Sequence, residues 1–394
     1  MNLSIKAKEI SPSIVMIVAA KAKQMKKDGV FILDFSVGEP DFDTPEAIKK
    51  AAFEAIRDGF TKYTPAGGTD ELKSAIIKKY KNEYQLDYMQ TEILVSNGGK
   101  HSIHNIFQTL LDPGDEVIIS SPYWTSYPEL VKLSGGLPKI IETSIDNNFK
   151  IEISNLKKAL TSKTKILLIN SPSNPAGSVY TEYELKEIAG VIRNEDILVL
   201  SDDVYEKFIY DNKKFENILT VCKELKDRVV IVNSASKTYA MCGWRMGYAL
   251  GPEMVIKAAS SIQSQATACP NSISQKALTY ALNSDQGNIE IFRKSFEKRR
   301  DLLFEGLSEI NGIKAAKPEG AFYIFADVSN YYSKDNINGS VEFCKYILDN
   351  YQIVCLPGAA FGNDNCIRFS FVTDEDSIKE AIERLKDLNR CEFS

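Results

Sequence analysis

Five short apolar runs, separated by helical patterns, constrain the fold of this chain more than any other feature. They are EILVS (92–96), DEVIIS (115–120), KILLIN (165–170), ILVLS (197–201) and VVIVN (229–233). Continuous Val, Ile and Leu runs of this length are typical of strands buried on both faces. The segments between them mostly predict helices, for example at 182–193 and 101–110. This alternation predicts an α/β fold in which helices cover both faces of a parallel sheet.

Polar, glycine-rich or aromatic residues follow each of these runs directly. Ligands of open α/β sheets bind beyond the carboxyl ends of the strands. The five predicted strand ends therefore point to one shared site. The residues that follow the runs are Asn97-Gly98-Gly99-Lys100, Ser121-Pro122-Tyr123-Trp124, SPSNPAG (171–177), Asp202-Asp203-Val204-Tyr205 and Ser234-Ala235-Ser236-Lys237.

The pattern changes after about residue 290, which predicts a second, smaller α+β subdomain. The sequence there has a long charged helix (290–309), GAFYIFADV (320–328), a helix near 341–350, IVCLPGAAFG (353–362) and CIRFSF (366–371). We expect the N-terminal segment, about 1–45, to pack with this part. A chain of 394 residues is long for one core and suits two subdomains.

Composition argues against several classes of protein. The formal net charge of -5 gives no sign of a nucleic-acid partner. No apolar run is long enough to span a bilayer, and the polar N-terminus lacks the core of a secretory signal. The seven cysteines are scattered without a CxxC pair, which is typical of reduced thiols. We expect a cytoplasmic protein with no metal, no membrane and no nucleic-acid partner.

The chain has only two histidines, His101 and His104. Their spacing suits a helix, and we interpret them as surface or packing residues. With only two histidines, the sequence gives little support for a Ser-His-Asp triad or a His-rich metal centre. Proton chemistry in this chain is therefore expected from Lys, Asp or Tyr.

Lys237 follows an apolar strand and, taken alone, could be a surface lysine. Ser234 and Ser236 precede it, and Arg245 follows it within GWRMG (243–247). Two hydroxyl groups and a guanidinium around a lysine could hold a phosphate beside an amine. Nearby positive charge and desolvation would lower the pKa of that amine, as a Schiff-base lysine requires.

Other candidates each have a structural alternative. The glycine pair at 98–99 could be a tight turn or a helix N-terminus that accepts a phosphate. Asp202 and Asp203 are equal candidates, by composition, for a carboxylate that faces a cationic ring nitrogen. Trp124 could fill the core or stack on a planar cofactor. Arg368, inside CIRFSF, could pair with an internal acid or bind a substrate carboxylate.

Several motifs also occur in a fixed order along the chain. They are SPSNPAG, SDDVYE, SASK with GWRMGY, the arginine of CIRFSF, FSVGEPDFDTP (35–45), KYTPAGGTDELKSAI (62–76), DPGDEVIISSPYWTSYPE (112–129) and GAFY (320–323). Together they resemble the class I aminotransferases of pyridoxal-phosphate (PLP) fold type I, and most closely the bacterial aspartate aminotransferase branch. The resemblance runs from about residue 3 to about residue 388.

The resemblance implies an α/β protein of PLP fold type I. A large domain would contain a mostly parallel seven-stranded sheet, and a smaller domain would be α+β. The large PLP-binding domain would span 46–289, and the small domain would combine 1–45 with 290–394. The resemblance also implies a homodimer with shared active sites, in which Tyr63 reaches the phosphate of the neighbouring subunit's cofactor.

The resemblance further implies a role for each candidate in binding PLP. Lys237 would carry the cofactor as a Schiff base and move the proton between the substrate Cα and the cofactor carbon. Asp202, the first acid of the family's D-[DE]-x-Y motif, would keep the pyridine nitrogen protonated. Tyr205 and Asn174 would hydrogen-bond the phenolic oxygen, and Trp124 would stack on the ring. The phosphate would be held by Gly99, the backbone of Lys100, Ser234, Ser236 and Arg245.

The same resemblance implies how substrate would be held. Arg368 would grip the α-carboxylate, and Gly38 would contact the substrate through its backbone, with Trp124 and Asn174 lining the same site. Lys100 would bind the distal carboxylate of aspartate or glutamate, since an ammonium near the cofactor favours a dicarboxylate. The bland alternative is that Lys100 is an ordinary lysine at a helix start.

Two N-terminal positions bear on the choice of substrate. Acidic-substrate members often carry threonine where this chain has Val15, so one expected contact is missing. Prephenate-using members carry an arginine where this chain has Ser11, which disfavours prephenate. The expected reaction is ping-pong transfer of the amino group from L-aspartate to 2-oxoglutarate.

Three alternatives remain open at this point. The first is an aromatic or alanine transaminase, or a PLP-dependent C–S lyase, on the same scaffold. The second is a non-catalytic PLP-fold sensor. The third is a nucleotide-binding α/β protein, which is disfavoured because the chain has neither GxGxxG after its first strand nor GxxxxGK[ST].

Overall fold

The computed structural model describes residues 2–4, 7–8, 14–332 and 337–389. Its strands are β1 (Leu33–Asp34), β2 (Ile93–Ser96), β3 (Glu116–Ser121), β4 (Leu137–Glu142), β5 (Thr164–Asn170), β6 (Leu198–Asp202), β7 (Val229–Ser234), β8 (Gly247–Leu250), β9 (Lys314–Ala315), β10 (Tyr323–Asp327), β11 (Ile353–Val354), β12 (Leu356–Pro357) and β13 (Cys366–Ser370).

The α-helices in the described ranges lie between these strands and beyond them. None of them is long and apolar enough to cross a membrane. Their bounds are Ile14–Lys27, Glu46–Arg57, Asp70–Tyr84, Gly99–Leu110, Ser126–Leu133, Ile153–Ala159, Glu182–Ile192, Ile218–Val221, Ala235–Thr238, Glu253–Ala266, Ser272–Asn283, Gly287–Ser308, Ser340–Tyr351 and Glu375–Lys386.

A seven-stranded sheet in the order β2-β8-β7-β6-β5-β3-β4 forms the centre of the molecule. All its strands run parallel except β8, which is antiparallel to both neighbours. The five apolar runs of the sequence form β2, β3, β5, β6 and β7. The predicted α/β class with a mostly parallel seven-stranded sheet is therefore confirmed.

Each face of this sheet has its own apolar core. Along β6, Val199 packs into one core and Leu200 into the other, and Ile231 and Val232 of β7 divide in the same way. Successive side chains of a strand point to opposite faces. Because helices cover both faces, neither set of side chains needs to be polar, which explains the continuous apolar runs.

The helix Glu182–Ile192 shows how local sequence sets a boundary. Thr181 is its N-cap, and the Thr181 side chain accepts a hydrogen bond from the backbone N–H of Glu184. The Glu184 carboxylate in turn accepts from the backbone N–H of Thr181 at 2.7 Å. This capping box satisfies two N–H groups that would otherwise lack partners, so the helix begins where the sequence predicts.

A four-stranded antiparallel sheet in the order β12-β13-β10-β9 forms the C-terminal part. Side chains from helices Gly287–Ser308, Ser340–Tyr351 and Glu375–Lys386 share one apolar core with it. The N-terminal strand β1 pairs in parallel with β11, and Phe35 is fully buried in the same core. The central sheet and the C-terminal sheet thus have different apolar cores, and residues from both parts of the chain line the cavity described below.

The approach of β8 to the turn after β2 is closest at Gly247. Gly247 pairs with Ser96, the last residue of β2. A Cβ at Gly247 would lie 2.3 Å from the Gly99 nitrogen and 2.4 Å from the Gly98 carbonyl carbon. Both are backbone atoms that cannot turn aside, so a glycine is required here. This contact sets the position of the helix that begins at Gly99.

We expect Gly247→Ala to lower the free energy of unfolding by about 2 kcal/mol, because backbone must move to admit the methyl group. Gly190→Ala is the matched control, since Gly190 lies in the helix Glu182–Ile192 with nothing within 4 Å of its Cβ position. The control should be neutral or stabilising by up to about 1 kcal/mol. Urea unfolding measures both, and equal effects would contradict the close approach.

Candidate active site

One cavity of about 850 Å³ opens at the carboxyl ends of the parallel strands and reaches the C-terminal sheet. It brings together residues that are far apart in the sequence. Every residue predicted to hold cofactor or substrate lines it except Tyr63. These lining residues are Gly38, Gly99, Lys100, Trp124, Asn174, Asp202, Tyr205, Ser234, Ser236, Lys237, Arg245 and Arg368.

Lys237 lies in the short helix Ala235–Thr238, directly after β7. The Ser234 hydroxyl caps this helix by accepting a hydrogen bond from the Ser236 N–H at 3.4 Å. The Lys237 ammonium donates to the Gly38 carbonyl and lies 3.8 Å from the Cys242 sulfur. No carboxylate of the described residues forms an ion pair with it. The amine is therefore placed in the cavity by neutral partners.

Groups that can donate hydrogen bonds to an anion lie at one end of the cavity. The helix Gly99–Leu110 begins here, and its N-cap, Gly98, has a φ of 93° that favours glycine. Backbone N–H groups at a helix N-terminus attract anions. The Arg245 guanidinium lies close, because a Cβ at Gly98 would be 2.4 Å from its Nη2. Two serine hydroxyls, of Ser234 and Ser236, complete the lining of this end.

The structure separates Asp202 from Asp203, which composition could not. Asp202 lines the cavity, and its carboxylate accepts from the Tyr127 hydroxyl at 2.6 Å and from the Val204 N–H at 3.2 Å. Asp203 faces the other side of the sheet and accepts from Ser201 and Asn217. Burial raises the pKa of Asp202 to about 6, although the Tyr127 hydrogen bond opposes this shift.

Trp124 and Lys100 form one wall of the cavity. The Trp124 ring packs edge to face with Tyr127, with ring centroids 5.2 Å apart. The Lys100 ammonium lies 4.9 Å from the centroid of the Trp124 ring. Partial desolvation, and then the Arg245 charge, lower the pKa of Lys100. The ammonium therefore lies at the cavity wall, on the face of a tryptophan, in the first turn of the helix Gly99–Leu110.

Arg368 projects from the middle of β13 and is 5% exposed. Its Nη1 donates to the Asn174 side-chain oxygen at 3.1 Å and its Nη2 to the Ser36 carbonyl at 2.9 Å. Its Nε has no hydrogen-bond partner among the described residues, and no described carboxylate pairs with it. Desolvation lowers the pKa of Arg368. The alternative of an internal acid partner is thus not what the described residues show.

Sequence reasoning missed three residues that complete this site. Tyr127 holds Asp202, as described above. Asn170, the register partner of Asp202, donates to the Asp202 backbone carbonyl at 3.0 Å and accepts from the Asn174 N–H at 2.9 Å. The Tyr323 hydroxyl lies 3.0 Å from the Tyr205 hydroxyl. Tyr127 and Tyr323 lie inside motifs that carried the resemblance, but nothing in the sequence pairs them with Asp202 or Tyr205.

Tyr63 is the one predicted cofactor or substrate residue outside the cavity lining, and its side chain is 90% exposed. Ser11 lies outside the described residues, and the side chain of Val15 is not among those described. His101 accepts a hydrogen bond from the Asn97 N–H at 3.3 Å. Among the described residues, no group of three His, Cys, Asp or Glu side chains is placed to hold a metal ion.

The chain is similar to a known family and to several of its members. The sequence model of the family "Aminotransferase class I and II" matches residues 31–385. An aspartate/prephenate aminotransferase of Nitrosomonas europaea is 46% identical over 395 residues, which cover 98% of this chain and 100% of the relative. An aspartate aminotransferase of Bacillus subtilis is 42% identical over 386 residues, 98% of each chain.

Solved structures give the same result. The aspartate aminotransferase of Rhizobium meliloti superposes with a TM-score of 0.95 at 41% identity, covering 98% of both chains. The aspartate aminotransferase of Thermus thermophilus with maleate superposes with a TM-score of 0.93 at 38% identity, covering 98% of this chain and 100% of that one.

The raised pKa of Asp202 gives the cofactor-free protein a specific pH dependence. Folding holds this proton more tightly than the unfolded chain does, so the resulting stability is fully present below about pH 4 and is lost as pH rises through about 6. The loss is about 3 kcal/mol between those limits. Asp202→Asn cannot titrate, so we expect its stability relative to wild type to improve by up to that amount at neutral pH.

Urea unfolding of the cofactor-free proteins at both ends of this pH range measures the effect. Asp196→Asn, at an exposed aspartate, is the control and should follow the wild-type pH dependence. A wild type and an Asp202→Asn variant with parallel pH profiles would show that Asp202 is not held protonated by burial.

Proposed function

Because the chain belongs to the class I and II aminotransferase family and is a PLP-dependent transaminase, we propose that its substrates are L-aspartate and 2-oxoglutarate, with oxaloacetate and L-glutamate as products. The observation that carries this proposal is the pair of cations, Arg368 and Lys100, in one cavity. A dicarboxylic amino acid has one carboxylate for each of them. The named relatives, which are aspartate or aspartate/prephenate aminotransferases, support the same choice.

The donors in the cavity fit PLP. Its phosphate would lie at the helix N-terminus of Gly99, between Ser234, Ser236 and Arg245. Asp202 would face the pyridine nitrogen, where its carboxylate would be stabilised in the charged form by the protonated ring. When bound, PLP supplies an electron sink for the negative charge that remains at the substrate Cα after its proton leaves.

Each remaining step belongs to a side chain of the protein. Lys237 would hold the cofactor covalently and, as a free amine, would take the proton from the substrate Cα and deliver it to the cofactor carbon; in the second half-reaction it would move a proton in the reverse direction. Tyr205 and Asn174 would donate to the phenolic oxygen of the ring. Trp124 would cover one face of the ring and limit the access of water.

Substrate would be oriented by its carboxylates. The planar Arg368 guanidinium can bind the α-carboxylate in bidentate geometry, and the Gly38 backbone lies beside it. Lys100 would bind the distal carboxylate. Holding both ends fixes the direction of the Cα–H bond relative to the Lys237 amine, which is the main contribution that binding can make to proton transfer.

We propose that the enzyme is a homodimer with shared active sites, located in the cytoplasm. The exposed Tyr63 ring supports the dimer, because Phe53 and Ile56, close to it in the sequence, are exposed as well, and exposed large apolar side chains are typical of interaction surfaces. We also propose the domain division 46–289 and 1–45 with 290–394. The pairing of β1 with β11 and the C-terminal core, which many buried residues of 290–394 share with Leu33 and Phe35, support it.

An absorption spectrum tests the proposed reaction. We expect purified enzyme with PLP to show a yellow band that L-aspartate alone converts to the pyridoxamine form, and that 2-oxoglutarate restores. L-Alanine and L-phenylalanine are tested in the same way as alternative amino donors, and prephenate is tested as an alternative acceptor. Lys237→Ala should lose the covalent band and fall by about 10³-fold or more in turnover. A wild-type band that aspartate does not change would refute the substrate assignment.

Lys100→Met tests the role of the second cation. Loss of a charge-assisted contact should raise KM for L-aspartate about 10-fold to 100-fold, while KM for a monocarboxylic donor such as L-alanine stays nearly the same. Lys257→Met, at an exposed lysine of the helix Glu253–Ala266, is the matched control. Steady-state kinetics with both donors gives the answer. A parallel rise in both KM values would assign Lys100 to the cofactor and not to the distal carboxylate.

A further inference from the structure

Tyr323 contacts both Arg368 and Tyr205, and none of the roles proposed above involves it. It is the first residue of β10, lines the cavity and is 1% exposed. Its hydroxyl is 3.0 Å from the Tyr205 hydroxyl, and the Arg368 guanidinium carbon lies 4.2 Å from the centroid of its ring. Tyr323 therefore contacts both the proposed α-carboxylate anchor and a proposed ligand of the cofactor's phenolic oxygen.

When cofactor is bound, only one of the two hydroxyls, of Tyr205 and Tyr323, can be the donor in the hydrogen bond between them. A phenol has a single proton to donate. If Tyr205 donates to the phenolic oxygen of the ring, then Tyr323 must donate to Tyr205. Hydrogen bonds in such a chain strengthen one another, because each donor is polarised by the bond it accepts. The strength of the Tyr205 contact with the cofactor therefore depends on Tyr323.

The ring of Tyr323 makes this chain sensitive to substrate. A cation over the face of a phenol draws electron density from the ring, so its hydroxyl becomes a better donor. A substrate carboxylate on Arg368 neutralises that cation and weakens the effect. Tyr323 then donates a weaker hydrogen bond to Tyr205, and Tyr205 in turn donates a weaker hydrogen bond to the phenolic oxygen.

We propose that Tyr323 is a positioning residue that couples the binding of a carboxylate at Arg368 to the hydrogen bond that Tyr205 donates to the cofactor. This inference rests on the proposed roles of Arg368 and Tyr205. It adds a route to the direct hydrogen bond between Arg368 and Asn174. Substitution of Tyr323 by phenylalanine removes the route and leaves that direct bond in place.

The electrostatic surroundings of Tyr205 suit a donor. Burial, and then the neighbouring Tyr323, raise the pKa of Tyr205 well above its ordinary value, while Arg368 acts in the opposite direction and Asp202 in the same one. Tyr205 thus keeps its proton across the working pH range. The other charged groups that line the cavity are Lys23, Asp34, Glu39, Lys100, Lys237 and Arg245.

The test is a pH titration of the yellow band of holoenzyme, with and without succinate. Succinate has two carboxylates but no amino or oxo group, so it binds without reacting. In wild type we expect succinate to raise the pKa of the band. In Tyr323→Phe we expect the pKa without succinate to be higher by about 0.5, because Tyr205 is a weaker donor, and the rise caused by succinate to be at least halved.

Tyr331→Phe is the matched control. Tyr331 is a buried tyrosine of the C-terminal core whose hydroxyl donates to the Asn311 carbonyl. Both variants lose one buried hydrogen bond and should show similar small losses of thermal stability, but only Tyr323→Phe should move the band. We also expect kcat of Tyr323→Phe with L-aspartate to fall several-fold with little change in KM, because the ring under Arg368 remains.

The outcomes separate this inference from the function it rests on. A Tyr323→Phe band with the wild-type pKa in both states would overturn the coupling role alone. A wild-type band that succinate does not move would overturn the proposed dicarboxylate site, and the coupling with it.

Discussion

The site depends on positively charged side chains whose hydrogen-bond partners are neutral groups. Lys100, Lys237, Arg245 and Arg368 line one cavity, and none of them forms an ion pair within the described ranges. The hydrogen bonds of Lys237, Arg245 and Arg368 go to backbone carbonyls, to one amide oxygen and to the Cys242 sulfur. Arg368 is buried and Lys237 is half-buried, and a buried cation that lacks an anion is costly until an anionic ligand arrives. The cavity is therefore prepared for phosphate and carboxylate groups before they bind.

The fold supplies the separation that keeps these cations apart. Lys237 and Arg245 follow β7 and precede β8 in the central sheet, whereas Arg368 comes from the antiparallel C-terminal sheet. Parallel strands bring their carboxyl ends to one edge, which places phosphate and ring ligands together. The C-terminal sheet then presents Arg368 to the same cavity. A dicarboxylic substrate with a carboxylate at each end suits a site whose cations come from different parts of the fold.

The sequence predicted the central sheet well because its strands are buried on both faces, and such strands have continuous apolar sequences. Composition alone could not choose between Asp202 and Asp203, and the choice of Asp202 rested only on the family resemblance. The alternation along β6 places Asp203 on the face of Val199 and Ser201, and Asp202 on the face of Leu200, but only the packed structure shows which face holds the cavity. Pairs such as Tyr205 with Tyr323 join distant segments, so no local pattern indicates them.

Arg368 shows how binding at one end of the cavity is felt at the other. Its neighbours are neutral, namely the Asn174 amide, the Ser36 carbonyl and the rings of Tyr323 and Phe361, while its Nε has no described partner. A guanidinium keeps its charge even when burial lowers its pKa, because its ordinary pKa is so high. A carboxylate that binds here therefore redistributes charge across groups that also contact the proposed ligands of the ring. Recognition of the α-carboxylate and adjustment of the cofactor's hydrogen bonds are thus two consequences of one buried arginine.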